Sequence, residues 1–299
     1  PNGHILIVTI FPPATGGSSV IMHNLLSNFD PSSYSVATVS PHLSTRLDVN
    51  TSIEVHSIMS SIRLSGRLNA YWRDIQMPFA TWKLDRLVRE KQPKAIVGVF
   101  PYYHLLEVSR RVALKYNIPW IPYLHDTLAE ALSRGKLTDH ATILQRQIFQ
   151  HASKILVMSQ GMKELFEKKY RVKVESLEHS YPEEIPDNLS TDIILQRQAF
   201  WGGAIYRINR HSLARISEAL KEINLPFLIT SGAKRKRLES YGIVGKHIKR
   251  EFFSVRNDYL RILQRQEILI LALDWPDESP IHEDELATIF PTKTPEYLA

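Results

Sequence analysis

Short apolar runs alternate with amphipathic stretches along most of the chain. The runs Ile5–Ile10, Ser35–Val39, Ile53–Ile58, Ala95–Phe100, Trp120–Leu124, Ile155–Ser159 and Val174–Leu177 are short and mostly β-branched or aromatic, and they are predicted as strands. Between them, VIMHNLLSNF sets Ile21, Leu25 and Phe29 on one helical face, and LLEVSRRVALKYN and GMKELFEKKY follow the same period. LLEVSRRVALKYN runs into Asn-Ile-Pro, a helix stop that leads into the next strand. Continuous apolar strands alternating with helices predict a parallel sheet covered on both faces.

Near 181–192 the stretch YPEEIPDNLSTD breaks this rhythm with prolines and acidic residues. The boundary is placed there, giving an N-terminal domain over 1–183 and a C-terminal domain over 190–299. The alternation then restarts with AFWGGAI, a helix through SLARISEALKEI, FLITSG, HIKREFF, a helix over 256–265 and EILILAL. A length of 299 residues suits two such units better than one. The closing PTKTPEYLA reads as the first turn of a helix at which the sequence stops, so the second domain is expected to be incomplete and the chain a fragment. The lack of an initiator methionine points to trimming at the start as well. A complete doubly wound domain would bury EILILAL on both faces; in this chain it is expected as an unpaired edge with an apolar patch.

Composition acts mainly by exclusion. The chain has no cysteine, which removes disulfide scaffolds and thiolate metal sites and is compatible with a reducing compartment. No apolar run is long enough to predict a membrane-spanning helix, and PNGHILIVTI enters a strand without a basic leader, so no signal peptide is expected. The net charge of +6 is uneven: residues 1–180 carry 21 Lys+Arg against 14 Asp+Glu, and residues 181–299 carry 16 against 17. A basic half suits an acidic partner such as anionic lipid or a phosphorylated substrate. No nucleic-acid-binding module is present, and the densest basic run, AKRKRLE at 233–239, lacks interleaved aromatics and reads as an exposed helix start, so no nucleic-acid partner is expected.

Two short stretches carry candidate chemistry. In HILIVTIFPPATGGSSV a buried strand leaves through a loop of small residues into a helix, so Gly16 and Gly17 either permit a tight turn or admit a ligand to backbone N–H groups that favour negative charge. The stretch has neither a GxGxxG pattern nor a P-loop lysine. In YLHDTL, His125 and Asp126 follow a predicted buried strand, where open α/β sheets bind ligands. There an imidazole can bond a sugar hydroxyl or move a proton, or the pair can be a packed histidine and a capping aspartate. Neither HExxH nor GxSxG occurs, and His282 with Glu283, Asp284 and Glu285 reads as a solvated acidic loop rather than a cation site. A third address of the same kind is 291–296, after the strand EILILAL.

Taken in order, FPPATGGSSVIMHNLL, IPWIPYLHDTL, ASKILVMSQGMKELFEKKY, FWGGAIYRINRHSLARISEAL, FLITSG, REFFSVRNDYLRILQRQEILILAL and PTKTPEYLA resemble the GT-B glycosyltransferases, specifically the retaining family 4 of sugar-nucleotide-dependent enzymes. The resemblance implies an α/β chain with two Rossmann-like, doubly wound domains facing a cleft, the acceptor on the N-terminal side and the donor mainly on the C-terminal side. It implies transfer of a sugar with retention from a nucleotide-sugar donor to a glycan or lipid-linked acceptor. Gly17, with Gly16 beside it, then lies against the donor diphosphate, and His125 matches the histidine that contacts the transferred sugar. Glu296 matches the second glutamate of an E-x7-E element that holds the ribose hydroxyls. Thr292, Lys293 and Thr294 fall where the donor phosphates meet a helix N-terminus. No metal and no cofactor is implied, because fixed cations and helix dipoles neutralise the leaving diphosphate.

The sequence departs from that pattern in two places. The first glutamate of the element falls at Thr288, and the basic pair after the glycine-ended strand falls near Ala204 and Asn209. Arg207 and Arg210 stand close enough to substitute, and Arg210 is the preferred diphosphate contact alongside Lys293. Asp126 is the second catalytic candidate after His125. Two other readings stay open: a sugar-nucleotide epimerase of the same fold, and a catalytically inactive GT-B scaffold or regulatory protein. The expected setting is polysaccharide biosynthesis in the cytoplasm, with peripheral contact at the anionic inner membrane face where the acceptor is lipid-linked.

Overall fold

The computed structural model describes residues 3–11, 17–40, 52–60, 66–131, 136–179, 181, 194–253 and 256–298. The chain divides into two compact units, one of residues 1–182 with 287–290 and the other of residues 183–286 with 291–299.

The first unit holds a seven-stranded sheet. Its strands are β1 (Ile5–Val8), β2 (Tyr34–Ser40), β3 (Val55–Ser60), β4 (Ala95–Phe100), β5 (Trp120–Leu124), β6 (Leu156–Val157) and β7 (Glu175–Ser176), in the order β3-β2-β1-β4-β5-β6-β7, all parallel. Each of the N-terminal strands expected from the apolar pattern forms. The helices are α1 (Gly17–Leu26), α2 (Gly66–Lys91), α3 (Tyr103–Tyr116), α4 (Lys136–His151) and α5 (Gln160–Tyr170). Strand alternation divides the core as the pattern requires. Leu6 and Val8 join Leu84, Leu105 and Trp120 on one side of the sheet, while Ile7 joins Met22, Leu26 and Val36 on the other. The sequence runs outward from β1 to β3 and then returns to the far side of β1 with β4, so the topological switch lies between β1 and β4.

β6 is shorter than the expected Ile155–Ser159 because Ser159 leaves the ladder to cap α5. Its Oγ accepts from the Met162 backbone N–H at 3.1 Å and donates to the Thr288 carbonyl at 2.6 Å.

The second unit holds a parallel four-stranded sheet of β8 (Gln196–Gly202), β9 (Phe227–Thr230), β10 (Ile248–Glu251) and β11 (Gln266–Leu269), in the order β10-β9-β8-β11. Its switch point therefore falls between β8 and β11. Helices α6 (Arg210–Glu222), α7 (Arg235–Ser240), α8 (Arg256–Leu263), α9 (Glu283–Thr288) and α10 (Thr294–Leu298) complete the element order. Ala199 and Trp201 pack with Leu213 and Leu220 of α6, and Phe200 packs on the opposite side with Leu263 of α8. β11 ends the strand order, with Ile268 and, just beyond it, Leu271 exposed. The expected acidic loop at 282–285 is instead the start of α9. Glu283, Asp284 and Glu285 form its first turn, where carboxylates complement the helix dipole, and the Asp284 N–H donates to His282 Nδ1 at 3.1 Å.

Candidate functional site

In the first unit the chemistry gathers where β1 and β5 end. His125 follows β5 directly, and its backbone N–H extends the ladder to the Phe100 carbonyl at 3.2 Å. Gly17 opens α1 and is exposed, while Gly16 lies outside the described residues. The next residue, Ser18, places its hydroxyl 2.8 Å from His125 Nδ1. The imidazole stands edge-on to Tyr123, with ring centroids 4.3 Å apart, and the Tyr123 hydroxyl donates to the Leu177 carbonyl at 2.5 Å. His125 is only 3% exposed, and its Nε2 is buried with no hydrogen-bond partner among the described residues. Burial, with the charge of His179 adding to it, pulls the His125 pKa down to about 3. At neutral pH the ring is therefore uncharged, with one nitrogen donating and the other accepting.

A buried polar network fixes the loop that leaves His125. The Leu128 and Ala129 N–H groups donate to Gln145 Oε1 at 3.0 and 3.2 Å, and Gln145 Nε2 donates to Glu130 at 3.1 Å. Glu130 also accepts from the Tyr170 hydroxyl at 2.6 Å and from Lys169 Nζ at 2.8 Å. Burial alone would raise the Glu130 pKa, but these donors outweigh it and hold the carboxyl below its usual value. Asp126 does not enter the network. Its side chain is exposed, and the surrounding protein shifts its pKa upward by desolvation.

In the second unit the corresponding address is the end of β8. Gly202 donates its N–H to the Tyr297 hydroxyl at 3.0 Å, and a Cβ there would lie 2.3 Å from the Tyr259 hydroxyl. Gly203 has φ +120°, a conformation that glycine alone adopts readily, and a Cβ there would meet Lys293 Cε at 2.9 Å. Lys293 thus passes over a backbone stripped of side chains. Its ammonium stands 3.9 Å from the ring centroid of buried Trp201, a cation–π contact. Burial lowers the Lys293 pKa to about 8, partly countered by Glu296 one turn along α10. Thr292 lies in the turn before α10, and Thr294 begins the helix with its Oγ1 buried and without a hydrogen-bond partner among the described residues.

Arg210, the preferred cation of the sequence reading, has other partners. It begins α6, donates from Nε to His211 at 3.1 Å and lies over the Tyr241 ring at 5.9 Å. The α6 N-terminus is already served by Asp274, whose buried carboxylate accepts from Ser212 N–H at 2.7 Å and His211 N–H at 3.3 Å. Thr288, where the resemblance would place a glutamate, is buried.

The structure therefore brings Gly17 and His125 together in one unit and Lys293 and Glu296 together in the other. Several participants carry no motif in the sequence. Ser18 simply follows the glycine pair. Gly202 and Gly203 carry the same signal as Gly16 and Gly17, a glycine pair leaving a buried strand. Trp201 and Asp274 act through packing and capping, which leave no motif.

Two Rossmann-like units built on parallel sheets with topological switch points define the GT-B fold of nucleotide-sugar enzymes. The chain belongs to Glycosyltransferase Family 4, whose sequence pattern matches residues 15–179, so the protein is a glycosyltransferase. Solved structures show the same fold at low identity. Sucrose-phosphate synthase from Thermosynechococcus elongatus is 9% identical, with a TM-score of 0.60, covering 89% of this chain and 74% of its own. UDP-N-acetylglucosamine 2-epimerase from Rickettsia bellii is 12% identical, with a TM-score of 0.55, covering 90% and 74%. The lipopolysaccharide outer core galactosyltransferase WaaB in its apo form is 12% identical, with a TM-score of 0.53, covering 89% and 73%. No curated protein matches the chain significantly in sequence.

Proposed function

We propose that this enzyme transfers a hexose, with retention, from a nucleotide-sugar donor to a glycan or glycolipid acceptor. The observation that carries the reading is the His125 imidazole, buried, neutral, engaged at Nδ1 by Ser18 and without a partner at Nε2 among the described residues. A buried polar atom left unpaired costs about 1–3 kcal/mol, a cost that a sugar hydroxyl bonded to Nε2 would remove. His125 thus orients the transferred sugar, and exposed Asp126 flanks it. Gly16 and Gly17 admit the diphosphate to the start of α1. Lys293 and Arg210 stabilise the leaving group, Thr292 and Thr294 offer hydroxyls to its phosphates, and Glu296 holds the ribose. A partly desolvated ammonium suits this task, because it gains most when negative charge grows beside it in the transition state. The residues require neither a metal nor a cofactor for these roles. The setting is glycan or polysaccharide biosynthesis in the cytoplasm, and a lipid-linked acceptor brings the enzyme to an anionic membrane face.

A thermal-shift screen of the full chain against UDP, GDP, ADP and CDP, followed by transfer assays with the matching sugar nucleotides, tests this reading. One nucleotide diphosphate should raise Tm in proportion to the logarithm of its concentration, and its sugar nucleotide should be consumed only when acceptor is present. Conversion of the sugar nucleotide without acceptor would show an epimerase instead, and no binding of any nucleotide would show a scaffold.

A further inference from the structure

α2 carries apolar side chains on both sides. Its inner face buries Met77, Ala80, Leu84 and Leu87 in the core of the first unit. Its outer face exposes Tyr71 (66%), Ile75 (52%), Phe79 (54%) and Trp82 (52%). Spacings of four, four and three residues align these side chains in one stripe about 16 Å long, at 1.5 Å per residue. Phe79 and Trp82 are stacked, with ring centroids 5.6 Å apart, and Lys83 Nζ stands 4.8 Å from the Phe79 ring. Exposed Arg86 continues the stripe by one turn. Beside the stripe, Asp74 is bonded to His104 Nε2 at 3.0 Å. Residues 66–91 contain six Lys+Arg against three Asp+Glu.

We propose that this face of α2 docks the first unit on an anionic lipid bilayer. Tyr71 and Trp82 enter the headgroup region, where amphipathic aromatic rings are favoured, and Ile75 and Phe79 bury apolar area beside them. Exposed Arg86 faces the lipid phosphates together with Lys83, whose ammonium lies between the Phe79 ring and the Ser57 carbonyl. Charge complementarity selects this occupant. The basic stripe lies on the half of the chain that holds the net positive charge, so an anionic surface attracts it and a second copy of the same face repels it. The inference deepens the reading of a lipid-linked acceptor, yet vesicle binding needs neither donor nor transfer, so the two can fail separately.

Flotation of the full chain with vesicles of phosphatidylglycerol and phosphatidylcholine, against phosphatidylcholine alone, tests the proposal. Binding should be at least tenfold stronger to the anionic vesicles and should weaken steeply between low salt and 0.5 M salt. Phe79→Ser with Trp82→Ser, and separately Lys83→Glu with Arg86→Glu, should each reduce binding more than tenfold while the thermal transition stays cooperative. Three results would each overturn the proposal. One is equal binding to both vesicle types, and another is binding unchanged in either double variant. The third is concentration-dependent dimerisation that Phe79→Ser with Trp82→Ser abolishes, because the face would then belong to a second copy.

Discussion

The first unit ends β5 in a histidine that burial keeps neutral, whereas the second lays a lysine across the glycines after β8 and leaves it charged to about pH 8. Both sites stand at carboxyl ends of parallel strands near a topological switch, so fold explains their address but not their chemistry. The difference comes from the surroundings. His125 is buried and has a second imidazole, His179, nearby, and both disfavour a positive charge. Lys293 has an indole face and Glu296 nearby, both of which favour the cation against the cost of desolvation. One unit therefore offers a neutral hydrogen-bonding group suited to a sugar, and the other offers a positive charge suited to a diphosphate.

The strongest way to break this contrast is to erase the charge while keeping the shape. Lys293→Met preserves a long side chain over Trp201, and steady-state kinetics should show turnover falling on the order of 100- to 1,000-fold with donor affinity changed much less. Because the Lys293 pKa of about 8 lies below its unfolded value, the second unit folds against the charged form, and that penalty disappears as pH rises through 8 toward 10.5. Lys293→Met should accordingly hold or raise stability at pH 7 in urea unfolding, even as activity collapses. A parallel loss of stability would show that the lysine is structural.

Next in size is Gly203→Ala, which forces a side chain into positive φ and against the Lys293 stem. Backbone strain of this kind costs about 1–3 kcal/mol, so calorimetry should find the second unit destabilised and transfer assays should find turnover reduced. Turnover at the wild-type rate would mean that Lys293 need not lie over Gly203 to act.

Much of this architecture was legible in the sequence, for identifiable reasons. Most strands are continuous β-rich runs between clear breaks, so parallel sheets followed from the pattern, although β10, Ile248–Glu251, is mostly charged. α2 escaped that reading because Tyr71, Ile75, Phe79 and Trp82 point outward while Met77, Leu84 and Leu87 point inward, which leaves no single apolar face. His125 could be located by its position after a strand, but its protonation could not, since that depends on how deeply the fold buries it and on His179, distant in the chain. The glycine pair after β8 was visible, yet its role became evident only with Lys293 lying over it. The start of α6, where Arg210 stands, shows the converse: the Asp274 carboxylate that caps it comes from far along the chain and leaves no motif.

A smaller effect sharpens the contrast from the first unit. Ser18→Ala removes the partner of Nδ1, and loss of one buried hydrogen bond should destabilise this unit by about 1 kcal/mol. It should lower transfer several-fold and leave nucleotide affinity unchanged. The His125 pKa of about 3 against an unfolded value near 6.5 adds a pH signature. Stability from the neutral ring is complete above about pH 6.5 and is lost progressively as pH falls toward 3. Acid unfolding of His125→Asn, which cannot take up that proton, should be shallower across this window. An identical acid transition would place the driving protonation elsewhere.

The division of labour between the two units is tested most directly by measuring nucleotide-diphosphate Kd and transfer kcat side by side for His125→Ala and Glu296→Ala in the full chain. The account predicts a crossed result. Glu296→Ala should weaken nucleotide binding about tenfold to a hundredfold, the loss expected for charge-assisted bonds to a ribose. His125→Ala should leave that affinity within about twofold while reducing kcat on the order of 100-fold, because a misplaced sugar forfeits orientation rather than binding. If both variants stay folded and Glu296→Ala binds nucleotide as tightly as the wild type, or if His125→Ala loses nucleotide affinity and turnover together, the assignment of the sugar contact to His125 and the ribose contact to Glu296 is contradicted.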